Sequence, residues 1–107
     1  MAMIRHIVLF KFKKSLNQND IQQIADLLLN MRNKISQIKD CKWITNIHDR
    51  NHDYGFKHGI SIDFANQKDL QDYIAHQHHA EVCEHHLFPS LEDGINGLLV
   101  FDYEMMD

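Results

Sequence analysis

The hydrophobic pattern of the N-terminal segment is that of a β-strand. Residues 4–12 are rich in β-branched and aromatic side chains and almost continuously apolar in the middle, which favours a strand covered on both faces. Alternation assigns four side chains to one face: His6, Val8, Phe10 and Phe12. The pattern therefore predicts a strand with a histidine at the start of its apolar face.

The period changes after Asn17, where the chain takes on the pattern of an amphipathic helix. Apolar residues now recur at three- and four-residue steps: Ile21, Ile24, Leu28, Met31, Ile35 and Ile38. Asn17 and Asp20 have the spacing of a capping box, which marks a helix start. The spacing predicts a helix that begins at Asn17 and ends between residues 36 and 40.

Two more strands are predicted in the middle of the chain. Residues 43–48 (WITNIH) predict a short strand, and the polar residues 49–55 behind them predict a loop. Residues 56–64 alternate most regularly, and one face holds His58, Ile60, Ile62 and Phe64. A second strand therefore also has a histidine at one end of an apolar face.

The last third of the chain predicts a second helical region and a final strand. Asn66 and Asp69 repeat the cap spacing, and the helical period that follows predicts a helix over residues 67–76. Residues 80–86 predict one or two further turns, and residues 89–96 a short helix that Gly97 ends. Residues 98–103 are apolar and predict the closing strand.

The order strand, helix, two strands, helix, strand is the split βαβ pattern. It predicts an α+β fold: a ferredoxin-like βαββαβ protomer, with a four-stranded antiparallel sheet and the helices on one face. No linker or repeat divides residues 1–107, so we expect a single domain. The apolar middles of the first and last strands imply that the other sheet face is covered too, and we expect a second copy of the chain to cover it, giving a homodimer.

Charge and composition narrow the function classes. The formal net charge is -4, and the basic residues are scattered apart from a short run at residues 11–14, so we expect no nucleic-acid partner. The longest apolar runs are far shorter than the roughly 20 residues that span a bilayer, so we expect no membrane segment and a cytoplasmic protein. Cys41 and Cys83 have neither disulfide-framework nor metal-motif spacing and are predicted to be free thiols.

The histidines are the candidate chemistry. Nine occur in the chain, and several cluster in residues 76–86. Metal binding by His76, His79, His85 and His86 is one alternative, but no HExxH or CxxC motif accompanies them, and we predict no metal site and no cofactor. The GxSxG, P-loop and GxGxxG motifs are also missing from the sequence, which leaves acyl-enzyme and nucleotide chemistry without support.

Three segments together resemble the stress-responsive A/B barrel (Dabb) domain family. They are residues 3–13 (MIRHIVLFKFK), Tyr73 with His76 and His79, and residues 99–103 (LVFDY). The resemblance spans nearly the whole chain and implies a ferredoxin-like protomer whose sheet pairs with that of a second protomer. The assembly it implies is a homodimeric α/β barrel.

The resemblance also implies a site. The family includes a cofactor-independent polyketide cyclase, and its catalytic tyrosine and histidine match Tyr73 and His79, while its other pocket histidines match His6 and His58. This chain differs where the cyclase has a further pocket tyrosine, since a leucine, residue 27 or 28, stands there.

The residue types agree with a pocket of this kind. His79 can act as a general base on a carbon acid or hydroxyl, with Tyr73 hydrogen-bonded to it or donating to a developing enolate. We expect His6 and His58 to bind substrate beside them. Apolar residues are predicted to form the walls: Val8, Ile60, Ile62, Leu98 and Val100.

Two functions fit such a pocket. The first is a cofactor-independent cyclase or lyase that acts on a carbonyl compound through the Tyr73–His79 pair. The second is a non-catalytic dimeric module that binds a small ligand or is associated with stress. The remaining histidines are expected to face solvent: His48, His52, His78, His85 and His86.

Overall fold

The structure, a computed structural model, describes residues 3–106. These residues form four strands and three α-helices. In chain order they are β1 (Met3–Phe10), α1 (Gln18–Asn30), β2 (Asp40–Thr45), β3 (His58–Phe64), α2 (Gln67–Ala75), α3 (Gln77–Val82) and β4 (Leu98–Met105). A π-helical turn continues α3, and short 3₁₀ segments follow α1 and precede β4. The predicted βαββαβ order is confirmed, with α3 as an extra turn of helix before the last strand.

The four strands form one antiparallel sheet in the order β2-β3-β1-β4. On β1, His6 pairs with Ile62 of β3, and Phe10 pairs with His58. On the other side of β1, His6 pairs with Asp102 of β4. β4 is therefore an edge strand, and its C-terminal half lies beside the start of β1.

The helix starts are built as the sequence predicted. The Asn17 side chain accepts a hydrogen bond from the Asp20 backbone N–H at 2.8 Å, and the Asp20 carboxylate accepts one from the Asn17 N–H at 3.0 Å. Asn66 caps α2 in the same way, accepting from the Asp69 N–H at 2.8 Å. These bonds satisfy backbone donors that the first helical turn leaves unpaired.

Several elements differ from the prediction. Residues 89–96 do not form one helix, since 3₁₀ turns lie at Phe88–Ser90 and Gly94–Gly97, and the end of α1 and both ends of β2 differ by three residues or more. α1 ends at Asn30 with a 3₁₀ turn over Met31–Asn33, earlier than the predicted end at residues 36–40. β2 begins and ends three residues earlier than the predicted run of residues 43–48. β2 ends before Asn46 because the Asn46 side chain accepts a hydrogen bond from the His48 N–H and donates one to the Phe56 carbonyl. The chain turns there instead of continuing as a strand.

The core lies between the helices and one face of the sheet. Its most buried large side chains come from both layers: Phe10, Met31, Ile35, Ile60, Ile62, Phe64 and Leu91. Within the described part of the chain no helix packs on the opposite face of the sheet, and Leu99 and Phe101 on that face are 51% and 62% exposed. Among residues 3–106, no helix combines the length and the apolar character needed to cross a membrane.

Candidate functional site

Tyr73 lies at the centre of the candidate site, between two imidazole rings. It projects from the inner face of α2 and is only 3% exposed. Its ring centroid is 5.8 Å from that of His6 on β1 and 4.5 Å from that of His79 on α3. A phenol and two imidazoles from three different elements therefore meet between the sheet and the helices.

A break between two helices places His79 beside Tyr73. α2 ends at Ala75, and His76 takes an extended conformation in which its Nδ1 accepts from the His78 backbone N–H at 3.0 Å. His76 is thus the N-cap of α3. Because the chain changes direction at this cap, His79 comes to lie against the end of the helix that carries Tyr73.

The hydrogen bonds of His79 define its protonation. Its Nδ1 lies 3.1 Å from the carbonyl oxygen of Ile74, which can only accept, so Nδ1 carries the proton and Nε2 has the lone pair in the neutral ring. Burial lowers the pKa of His79 below its ordinary value of 6.5, although the Ile74 bond opposes that shift. His79 is therefore neutral at pH 7, with a basic Nε2.

Cys83 contacts that basic nitrogen. Its Sγ lies 3.5 Å from His79 Nε2, and burial raises the pKa of the thiol to about 11, so the thiol is the donor of this contact. Cys83 opens the π-helical turn over Cys83–Leu87 that continues α3. The sequence predicted a free thiol at this position but not its contact with His79.

His6 is held by a carboxylate that was not among the predicted site residues. Its Nδ1 lies 2.5 Å from Oδ1 of Asp102, and its side chain is 7% exposed. Because an ionised carboxylate only accepts, the His6 Nδ1–H donates to Asp102. The Asp102 side chain thus fixes both the ring orientation and the tautomer of a buried histidine.

These side chains line one end of a cavity of about 230 Å³. His6, Tyr73, His79 and Asp102 form its polar end. The rest is apolar, with walls formed chiefly by Val8, Phe10, Leu28, Ile60, Phe88 and Leu98. Ile74 and Val100, each about half exposed, also line the cavity and lie where it meets solvent. The arrangement suits a small, largely apolar molecule with one polar group.

The structure brings together most of the predicted site residues. His6, Tyr73 and His79 line the cavity, as do four of the five predicted walls: Val8, Ile60, Leu98 and Val100. No hydrogen bond joins Tyr73 to His79 among the described residues; their rings pack instead at an angle of 54°.

His58 and Ile62 do not line this cavity. Ile62 is fully buried in the core. His58 lies four residues along the sheet from the level of His6, or about 13 Å at ~3.3 Å per residue. Its ring packs against those of Phe12 and Trp43, with centroids 5.7 and 6.0 Å away. The expected meeting of His58 with Tyr73 and His79 is prevented by this register.

The other histidines divide between solvent and partial burial. His52, His85 and His86 are exposed as predicted, whereas His48 and His78 are partly buried. The His48 Nε2 atom is buried without a hydrogen-bond partner, and its ring packs on that of His52 at 5.5 Å. Within the described range, residues 3–106, no three His, Cys, Asp or Glu side chains are grouped so as to hold a metal ion.

Comparison with known proteins agrees with this architecture. Olivetolic acid cyclase from Cannabis sativa is 26% identical over 100 residues, which cover 94% of each chain. The structure of a hydroxynitrile lyase from Passiflora edulis matches with a TM-score of 0.83 at 26% identity, covering 99% of this chain and 95% of that one. A dimeric ferredoxin-like protein from Jannaschia sp. shares the fold, with a TM-score of 0.81 at 19% identity over 96% of this chain and 99% of that one.

A family model describes nearly the same span. The model of the Stress responsive A/B Barrel Domain matches residues 4–105. That match includes all four strands and the residues of the cavity. The chain therefore belongs to the stress-responsive A/B barrel domain family.

Proposed function

We propose that this protein is a small enzyme of the lyase or cyclase type that acts on a carbonyl compound without a cofactor. The observation that carries the proposal is the position of Tyr73 between two imidazoles, each fixed by its own acceptor, at the polar end of an apolar cavity. The similar proteins named above include a cyclase and a hydroxynitrile lyase, which supports this reaction class.

His79 is the proposed general base. Its neutral ring has the lone pair on Nε2, so it can accept a proton from a carbon acid or a hydroxyl group. The imidazolium that forms keeps its Nδ1–H bond to the Ile74 carbonyl. The Cys83 thiol, which is hydrogen-bonded to Nε2 in this structure, must rotate away when a substrate proton approaches.

Tyr73 is the proposed hydrogen-bond donor to the substrate oxygen. Burial raises the pKa of the phenol far above its ordinary value of 10, so it stays protonated and can donate. A donor fixed in an apolar cavity stabilises the negative charge that develops on an enolate or alkoxide oxygen. The proton removed by His79 and the charge left on the substrate are thus accommodated by neighbouring side chains.

His6 is the proposed second acid–base group. When its ring accepts a proton, the Asp102 carboxylate stabilises the resulting imidazolium through the Nδ1–H bond. An addition, an elimination or a ring closure at a carbonyl compound needs one group to take a proton and another to return one. His79 and His6, each of which packs against the ring of Tyr73, provide such a pair.

The shape of the cavity limits the substrate. Its volume of about 230 Å³ is below the usual range of about 300–1,000 Å³ for ligand pockets, so the substrate is small. Leu28 lines the cavity, at one of the two helix positions where the cyclase resemblance implied a tyrosine. Together with Phe88 and Leu98 it makes the end away from His6 apolar, which suits an alkyl or aryl group.

The proposal is tested by assaying turnover of small aldehydes, ketones and cyanohydrins by the purified protein and its variants. A positioned acid–base group contributes about 10²–10⁴-fold, so His79→Gln should lose at least about 10²-fold in kcat. Tyr73→Phe removes a donor to the charged oxygen and should lose about 10²–10³-fold. His85→Gln, at an exposed position, is the control and should be unchanged.

Two outcomes would overturn this assignment. Undiminished turnover by His79→Gln would remove His79 from the mechanism. Binding of these compounds without turnover by the wild-type protein would identify a non-catalytic ligand-binding module, the alternative that the same cavity permits.

We also propose that the protein is a homodimer that pairs the outer faces of two sheets. Leu99 and Phe101 lie on that face of the sheet with more than half of their surface exposed, and Met3, on the same face but paired with Met105 further along β4, is 38% exposed. An apolar patch on a sheet face is a common protein interface. The Jannaschia protein of the same fold is described as dimeric, which supports the same arrangement here.

A further inference from the structure

The proposed mechanism leaves one nucleophilic side chain of the cavity unused. Cys83 lines the cavity with Tyr73 and His79, and its Sγ lies 3.5 Å from His79 Nε2. The opposite nitrogen of His79 is fixed by the Ile74 carbonyl. A thiol, a base within hydrogen-bond distance and a third group that orients the base are the parts of an activated nucleophile.

Burial alone does not distinguish Cys83 from an inert cysteine, and the chain contains a matched comparison. Cys41 on β2 is 5% exposed and Cys83 is 7% exposed, and burial raises the pKa of both thiols to about 11. Cys41, however, has no hydrogen bond to an imidazole among the described residues and does not line the cavity. The two thiols therefore differ in their access to a base and to a ligand.

A second observation indicates that a ligand oxygen binds here. Tyr73 is almost completely buried, yet its hydroxyl makes no hydrogen bond to any of the described residues and is not enclosed by protein atoms. Because the hydroxyl is accessible from the cavity, water or a ligand oxygen can accept its hydrogen bond there. The Tyr73 hydroxyl is thus available to an oxygen in the same cavity as the Cys83 thiol.

We propose that Cys83 is the nucleophile of a site that forms reversible covalent adducts with small α,β-unsaturated ketones. The Cys83 thiol contacts His79 at Nε2, whereas the Tyr73 ring packs against the ring of His79, so the nucleophile and the hydrogen-bond donor are two different groups that act on two different atoms of the ligand. A conjugated enone provides that separation, because its β-carbon is attacked while its carbonyl oxygen takes up the charge.

The addition balances without a cofactor. The sulfur forms a bond to the β-carbon, the carbon–carbon π bond breaks, and the electron pair moves through the conjugated system to the carbonyl oxygen, which accepts the Tyr73 hydrogen bond. The thiol proton passes to His79 Nε2 and from there to the α-carbon, leaving a neutral thioether. Removal of the α-proton by the same nitrogen reverses the addition. The site uses the cavity of the proposed enzyme but does not depend on turnover.

The test is covalent labelling of the intact protein with n-butyl vinyl ketone, followed by mass spectrometry of the whole chain and of its peptides. We expect one equivalent of probe on Cys83, added at least about tenfold faster than on Cys41. Because a positioned base contributes about 10²–10⁴-fold, His79→Gln should slow addition at Cys83 by at least about 10²-fold. Cys83→Ser should abolish the fast adduct, and Cys41→Ser should leave it unchanged.

Three results would overturn the proposal: equal rates at the two cysteines, addition at Cys83 only after unfolding, or an unchanged rate at Cys83 in His79→Gln. The ratio of the labelling rates at Cys83 and Cys41 in the wild-type protein tests the proposal even if Cys83→Ser does not fold. Labelling at the expected rates without turnover of any carbonyl compound would leave the covalent site intact and remove the proposed enzyme. Turnover without labelling would remove only the covalent site.

Discussion

Replacing Asp102 with alanine tests the His6–Asp102 pair without knowledge of the substrate. The His6 side chain is 7% exposed, and its Nδ1 has Asp102 as its partner at 2.5 Å. In a neutral imidazole, Nδ1 has either the N–H or the lone pair. In both tautomers that group loses its partner when the Asp102 carboxylate is removed. An unsatisfied buried polar group costs about 1–3 kcal/mol, and we expect the free energy of unfolding to fall by about that amount.

Asp72→Ala is the matched control for this substitution. The Asp72 and Asp102 side chains are both 38% exposed, and Asp72 also has an ion-pair partner, Lys68 at 2.9 Å. Lys68, however, is 77% exposed, and an exposed pair of this spacing on a helix contributes only about 0.3–0.5 kcal/mol. We therefore expect Asp72→Ala to change the free energy of unfolding by less than about 0.5 kcal/mol.

The measurement is urea unfolding followed by circular dichroism at one protein concentration, because association would make stability depend on concentration. In a His6→Phe background the buried nitrogen is gone, and Asp102→Ala should then cost less than about 0.5 kcal/mol. A cost no larger than that of Asp72→Ala would refute the reasoning. So would an equal cost of Asp102→Ala in the two backgrounds.

Two further predictions concern pH and assembly. Burial lowers the pKa of His79 below its ordinary value of 6.5, so as the pH falls below 6.5 the unfolded chain binds a proton at this residue before the folded state does. The stabilisation from neutral His79 is therefore present above pH 6.5 and is lost as the pH falls. Urea unfolding between about pH 7 and pH 5 should show a smaller acid-side loss in His79→Gln than in the wild type, and equal losses would contradict the shift. Phe101→Asp should give a monomer in analytical ultracentrifugation at micromolar concentration, while Ile95→Asp, at a 67% exposed position in the 3₁₀ turn before β4, should stay dimeric like the wild type. A monomeric wild type would contradict the dimer.

The sequence was sufficient for the topology because the signals for it are local. A change from strand alternation to helical spacing is readable within a few residues, and the caps at Asn17 and Asn66 bond the backbone N–H only three residues later. The boundary of β2 was missed because it depends on Asn46 bonding to a carbonyl ten residues later. Local patterns predicted which elements form, and contacts between distant residues decided where they end.

The contact of Cys83 with His79 shows the same limit at the site. A four-residue spacing within one helix places side chains on the same face, so the two residues could have been paired from the sequence. What the sequence did not show is that His76 leaves the helix to cap α3, which separates α3 from α2 and turns His79 toward Tyr73. The sequence predicted a helix over residues 67–76 and further turns over residues 80–86, but not the cap at His76 that sets the direction of α3.

The positions of His58 and Asp102 follow from the directions of the strands. The alternation of apolar and polar residues within one strand gives no information on direction. His6 lies in the first half of β1 and His58 begins β3, and because the two strands are antiparallel, His58 pairs with Phe10, four residues beyond His6. Asp102 lies in the second half of β4, which is antiparallel to β1, so it lies beside the first half of β1, where it pairs with His6. Alternation along β4 predicts that Asp102 lies on the same face as Leu98 and Val100. Strand direction then places Asp102, and not His58, beside His6 in the site.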